Sequence, residues 1–222
     1  MVAGGFAVNF YTGLNRATKD IDIFCKAGDF PKILNKFTTL GYKTQLPDER
    51  WIAKILQGKF YVDLIFGSSN LVAPVTDDWF KDSGTAKFFN LEVRIPSVTD
   101  LIRSKVFIQA RDRYDGADIA HLILLKNNEI NWERLLSAMD PYWEVLLIHL
   151  LNFRFIYPSE REKVPSWIMK ELLSRLQHQF ELPTPKMKVC RGRMFSVADY
   201  TADVTELGCA DVVGGENERK AG

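Results

Sequence analysis

The run Asp20-Ile21-Asp22-Ile23-Phe24 alternates acid with apolar side chains, and a period of two fits only an extended chain. A helix would scatter the two carboxylates over different faces. A strand sends Ile21 and Ile23 into a core and projects Asp20 and Asp22 together from the other face. A third acid, Asp63, lies inside KFYVDLIFG with apolar residues on both sides. Acids are depleted from strands, so one in the middle of a strongly apolar strand needs a reason. The chain is therefore expected to build a sheet with an acidic face.

Composition bounds what such a sheet can serve. The 222 residues are 46% hydrophobic and 26% charged, which suits one or two domains with a real core and excludes a disordered chain. With 29 basic and 28 acidic side chains the net charge is +1, so no global field recruits nucleic acid or an anionic membrane. Cys25, Cys190 and Cys209 form no C-x-x-C pair, which argues for a reducing compartment and against a disulfide framework or thiolate zinc. The opening MVAGGFAVNF lacks the basic start of a secretory signal. The apolar run Val145 to Tyr157 contains His149 and Arg154 and is shorter than the roughly 20 residues of a membrane span. A soluble, cytoplasmic protein with no membrane partner is expected, and no DNA-binding motif stands out.

Periodicity divides the chain at Pro96. Before it, GGFAVNFYTGL reads as a turn and a short helix ending near Gly13, followed by the acidic strand and a helix from Phe30 to Gly41. WIAKILQ and KFYVDLIFG form a hairpin around Gly58-Lys59, and FFNLEVRIP reads as another short hairpin or a strand with a tight turn at Asn90. After Pro96, Ser97 and Asp100 have capping-box spacing and open a helix through about Arg111. Helices follow at GADIAHLILLK, at NWERLLSAMD, from Pro141 to Tyr157 and from Pro165 to Phe180. Pro183 and Pro185 mark a linker, and GGENERKAG is expected to fray. The expected fold class is α/β (α+β): a core over 1–96, a helical region packed on it over 97–182, and a linker and tail over 183–222.

Asp20 and Asp22 on one strand face repel unless a cation lies between them, and their hard oxygens suit Mg²⁺ or Mn²⁺. If the Asp63 strand pairs beside them, three carboxylates converge in the arrangement that holds metal for phosphoryl chemistry. Taken alone, a D-I-D is an exposed strand edge, and Asp63 alone is a satisfied core acid or a hairpin-end residue. The upstream segment favours the chemical reading. Gly4-Gly5 precedes a helix, whose N-terminal amides can cradle phosphate, and Arg16 and Thr18 add a charge and a hydroxyl at the same mouth.

GGFAVNFYTGLNRATKDIDIF resembles the signature of the nucleotidyltransferase superfamily with the DNA polymerase beta-like fold. The likeness covers about the first 66 residues and is nearest to the minimal and abortive-infection-toxin-like groups, with antibiotic nucleotidyltransferases as relatives. It implies a mixed-sheet core in which Asp20, Asp22 and Asp63 bind Mg²⁺ and carry the chemistry, while Gly4, Gly5, Arg16 and Thr18 hold the nucleotide. SKVFIQARDRYDGADIAHL resembles a further segment of the toxin-like groups, implying roles for Lys105 on the triphosphate and for Asp115 and Asp118. Tyr114 replaces the lysine of that pattern. Read from the residues, Lys105 is equally an exposed helix lysine, Asp115 caps the next helix, and Asp118 is left open.

The remaining features stay structural. His121, His149 and His178 stand singly, without metal spacing. Trp143, Phe153, Phe155 and Tyr157 suit a helical core or an interface. KVCRGRMF is a basic surface patch or a contact for RNA, and Cys25 is buried without a base beside it. The expected activity is transfer of a nucleoside monophosphate from an NTP to an acceptor hydroxyl on a small molecule, protein or RNA. The rival is a catalytically silent binding or regulatory protein of toxin–antitoxin type on the same fold. Only three residues precede Gly4, which suggests a trimmed or mis-started N-terminus.

Overall fold

Alternation in the first third of the chain sets the architecture. The computed structural model describes residues 1–18 and 20–213. The first elements are α1 (Gly4–Thr12), β1 (Ile21–Phe24), α2 (Phe30–Thr39), β2 (Lys43–Asp48), β3 (Ile52–Gln57) and β4 (Phe60–Ile65). They are followed by α3 (Asp77–Lys81), β5 (Gly84–Phe88) and β6 (Leu91–Ile95). The helical part contains α4 (Val98–Arg103), α5 (Gly116–Lys126), α6 (Trp132–Ala138), α7 (Trp143–Ile156) and α8 (Ser166–Gln179). Last come β7 (Val189–Cys190), α9 (Val197–Thr205) and β8 (Ala210–Asp211). The fold is a mixed α/β one.

The main sheet has the order β1-β4-β3-β2, with β1 parallel to β4 and the other pairs antiparallel. Ile23, Ala53, Ile55, Val62, Leu64 and Phe66 turn to one face and pack under Phe30, Ile33, Leu34 and Phe37 of α2. Phe30 stacks on Phe66 at 4.1 Å. The period of two therefore leaves Asp22, Lys54, Tyr61 and Asp63 on the opposite face. Residues 1–3 stitch this sheet to the second hairpin: the Phe24 amide donates to Met1 O (2.8 Å), Ala3 to Asp22 O (2.9 Å), and Val2 to Arg94 O (2.8 Å).

The helices share one core, which includes Leu101, Ile102, Ile119, Leu122, Leu135, Leu146, Leu150, Phe153, Ile168 and Leu172. Ala7 and Val8 of α1 belong to it as well, so α1 sits between the sheet and the helices. Among the described residues no helix is long and apolar enough to cross a membrane.

Three expectations need correction. The helix opened by Ser97 stops at Arg103, not Arg111. Past Arg103 the chain turns tightly and buries Lys105 against Asp115 and Asp118, a tertiary ion pair that no local pattern announces. β2 was not anticipated, because KTQLPD is an exposed edge strand with Pro47 in it and carries no apolar alternation. Beyond Pro185 the chain is more than a linker: β7 pairs with β8, and α9 lies between them. The expected fraying of GGENERKAG falls outside the described residues.

Candidate active site

β1 and β4 run parallel in a register that sets Asp22 beside Asp63. Asp20 lies one residue ahead of β1, and its Oδ2 accepts a hydrogen bond from the Tyr61 hydroxyl at 3.1 Å. The sequence-predicted acids thus gather at one face of two neighbouring strands. Asp63 is buried, and its Oδ1 accepts a 2.7 Å charged hydrogen bond from Lys54 Nζ on β3. Lys54 also lies 4.3 Å from the centroid of the Tyr61 ring. Burial first, then the Asp20 and Asp63 carboxylates, push the Asp22 carboxyl above its ordinary value, against a pull from Arg113 and Lys105. Tyr61 is also raised, chiefly by its bond to Asp20.

The glycine turn has a steric role toward the acids. Gly4 has φ +55°, and a Cβ there would lie 1.7 Å from Asp22 Oδ2. The bare backbone is what lets the Asp22 carboxylate settle against the start of α1. At Gly5 a Cβ would meet Thr18 Oγ1 at 3.0 Å. Thr18 donates to Asp20 O at 3.2 Å, so it tightens the approach to β1.

Lys105 is neither on a helix nor exposed. It follows the end of α4, is 5% exposed, and pairs with Asp115 Oδ2 at 2.6 Å and Asp118 Oδ2 at 2.9 Å. Burial pulls its ammonium below the ordinary value, opposed by Asp115 and Asp22 and aided by Arg113. Asp115 does stand at the N-cap of α5, but its side chain caps nothing. It serves Lys105 and, at 3.4 Å, Arg113. Burial works against ionisation of Asp115, yet Lys105 and Arg113 outweigh it and hold the carboxyl low. Arg16 is an ion-pair partner of Asp118. These residues thus form one linked cluster of ion pairs.

Two cavities meet at this cluster. A polar one of about 360 Å³ is lined by Gly5, Arg16, Thr18, Asp20, Asp22 and Arg113 among others. A more apolar one of about 280 Å³ lies on the other side of Asp22, walled by Phe24, Trp51, Trp79, Phe107 and Phe195. Lys105 and Asp115 border both. Asn70 Nδ2 donates to Met194 O at 3.1 Å, tying the C-terminal segment over the apolar cavity beside Phe195.

The donor chemistry of the acids fits a hard divalent cation: three carboxylates share a face, and Asp22 bears repulsion from both others. Among the described residues no three acid, imidazole or thiol side chains lie close enough together to hold a metal ion, so the acids fit a cation by their chemistry and face and not by an assembled ligand shell. Lys54 and Tyr61, which hold Asp63 and Asp20, were missed from the sequence although it carried a signal. Counting back from a two-residue turn at Gly58-Lys59 pairs Lys54 with Asp63, as observed.

Elsewhere the plainer readings hold, with one exception. Cys25 is buried, and burial pushes its thiol up to about 11. His149 is buried, with Nε2 2.8 Å from Val106 O, and His178 sits beside Glu181 at the surface. Phe153 is in the core, whereas Phe155 is 87% exposed. KVCRGRMF is not simply a surface patch, because Arg193 is buried and paired with Asp211.

No protein-family model matches the chain, and no curated protein matches its sequence. Among solved structures, the crystal structure of the lincosamide antibiotic adenylyltransferase LnuA bound to lincomycin aligns with 55% of this chain and 83% of its own. The TM-score is 0.39 and the identity 19%.

Proposed function

We propose that this chain is a nucleotidyltransferase that moves a nucleoside monophosphate from an NTP to an acceptor hydroxyl. The observation that carries the reading is the β1–β4 register, which sets Asp22 beside Asp63, with Asp20 nearby, against the Gly4 turn of α1. The acceptor oxygen forms a bond to the α-phosphorus, the bond to the bridging oxygen breaks, and pyrophosphate leaves. The hydroxyl proton passes to a carboxylate, and Asp63 is the assigned recipient. A divalent cation such as Mg²⁺ or Mn²⁺, held by Asp20, Asp22 and Asp63, would supply positive charge at the phosphates.

The other groups position. Gly5 in the first turn of α1, Arg16 and Thr18 border the polar cavity, which suits the triphosphate. The apolar cavity has room for a nucleoside or a compact acceptor. Catalysis of this type rests mainly on orientation and electrostatics.

Incubation with each α-³²P-labelled NTP, Mg²⁺ and cell extract tests the reading. Wild type is expected to label one fraction (protein, RNA or small molecule), and Asp22→Asn to label none. Absence of label with every nucleotide, despite measured NTP binding, favours the silent binding protein.

A further inference from the structure

We propose that Lys54 is a built-in counter-ion for Asp63 that competes with a divalent cation, so that this lysine sets the metal affinity of the site. The inference rests on the reading of Asp20, Asp22 and Asp63 as metal ligands. Lys54 is not a stray surface charge. Its strand register places it opposite Asp63, its Nζ is 2.7 Å from Oδ1, and its side chain is only 27% exposed. The ammonium is pinned from a second side by the Tyr61 ring at 4.3 Å. The same tyrosine donates to Asp20 at 3.1 Å. One lysine and one tyrosine therefore engage two of the three acids. Among the described residues, no hydrogen bond or ion pair is made to the Asp22 carboxylate.

The hairpin does not need this pair for its core. Ala53, Ile55, Val62 and Leu64 pack on the other face of the same strands. On the acidic face the pair does one identifiable thing: it neutralises Asp63 where Asp22 and Asp63 lie side by side. A cation that takes Asp63 as a ligand must displace the ammonium from Oδ1. Lys54 is thus a positioning residue, which acts through Asp63.

Calorimetric titration of Mn²⁺ into the full chain, without nucleotide, tests this. Lys54→Met and Lys54→Gln are expected to bind Mn²⁺ about tenfold more tightly than wild type, or roughly 1.4 kcal/mol. Lys54→Arg, which keeps the charge, is expected to bind no more tightly than wild type. Thermal melts establish that each variant is folded, and the two neutral variants guard against one of them failing to fold. Asp22→Asn separates the two levels of the argument. If Asp22→Asn loses Mn²⁺ binding while both neutral Lys54 variants bind as wild type or more weakly, Lys54 is structural and the proposal falls alone. If Asp22→Asn binds like wild type, or if neither wild type nor the Lys54 variants bind, the three-carboxylate site falls and the proposal with it.

Discussion

At Asp22 burial and charge push in the same direction, and the sign of the consequence can be worked out. The native state holds a proton on Asp22 more tightly than the unfolded chain, whose carboxyl titrates near the ordinary value of 3.8. As pH rises from there through the raised native value, the native state gives up that advantage and Asp22 costs stability, with a plateau above it. Asp22→Asn in EDTA is therefore expected to melt above wild type at pH 7, with a gap that narrows as pH falls towards 3.8. An unchanged gap across that range, or a variant less stable at pH 7, would show Asp22 to be a satisfied acid. Asp63→Asn is expected to melt below wild type at pH 7, because it strands Lys54 without its partner. Gly4→Ala is worse placed than either. It adds left-handed strain to a methyl group 1.7 Å from Asp22 Oδ2, and about 2 kcal/mol or more of destabilisation is expected in urea melts. A wild-type-like midpoint would mean that the turn relaxes freely and that Gly4 is not what seats Asp22.

Among the elements, α4 shows how a short helix is held from its first turn. Ser97 Oγ accepts from the Asp100 amide at 3.2 Å and donates to Asp100 Oδ2 at 2.8 Å. Asp100 is fully buried and also binds Arg134 at 2.6 Å and Arg103 at 3.2 Å. Ser97→Ala is expected to cost about 1 kcal/mol, as cap losses do, whereas Asp100→Ala leaves two arginines facing a vacated buried position and should cost about 3–5 kcal/mol. Comparable midpoints in urea for the two variants would refute the hierarchy. The start of α4 was legible in the sequence because caps are local chemistry. Its end was not, because nothing within LIRSKVFIQA marks Arg103 as a stop. The stop follows from Lys105 reaching Asp115 and Asp118, which is a tertiary event. For the same reason the acids were legible and their partners were not. Alternation exposes Asp22 and Asp63 directly, while Lys54 and Tyr61 emerge only after the hairpin register is counted, and β2 offers no alternation to count.

On the scale of the whole molecule, the division at Pro96 is one of composition, and the site disregards it. The acids come from β1 and β4, but Lys105, Arg113 and Asp115, which border both cavities, come from beyond residue 97. α1 buries Ala7 and Val8 in the helical core while its first residue seats Asp22. Tyr11 bonds Pro96 O at 2.9 Å, and Arg134 reaches Asp82 at 2.7 Å, so polar contacts cross the same line. Apolar burial shared across a boundary makes the two parts lose their cores together, at about 25 cal/mol for each Å² newly exposed to water. The full chain is therefore expected to unfold in calorimetry as a single transition, which Mg²⁺ with an NTP raises as a whole by mass action. A fragment of residues 1–96 is expected to show no cooperative melt and no NTP binding, since it lacks Lys105 and leaves the inner face of α1 in water. Two separable transitions in the full chain, or a folded fragment that binds NTP, would mean that the sheet and its glycine turn form an autonomous unit. Lys105 and its partners would then be an addition to the site rather than one of its walls.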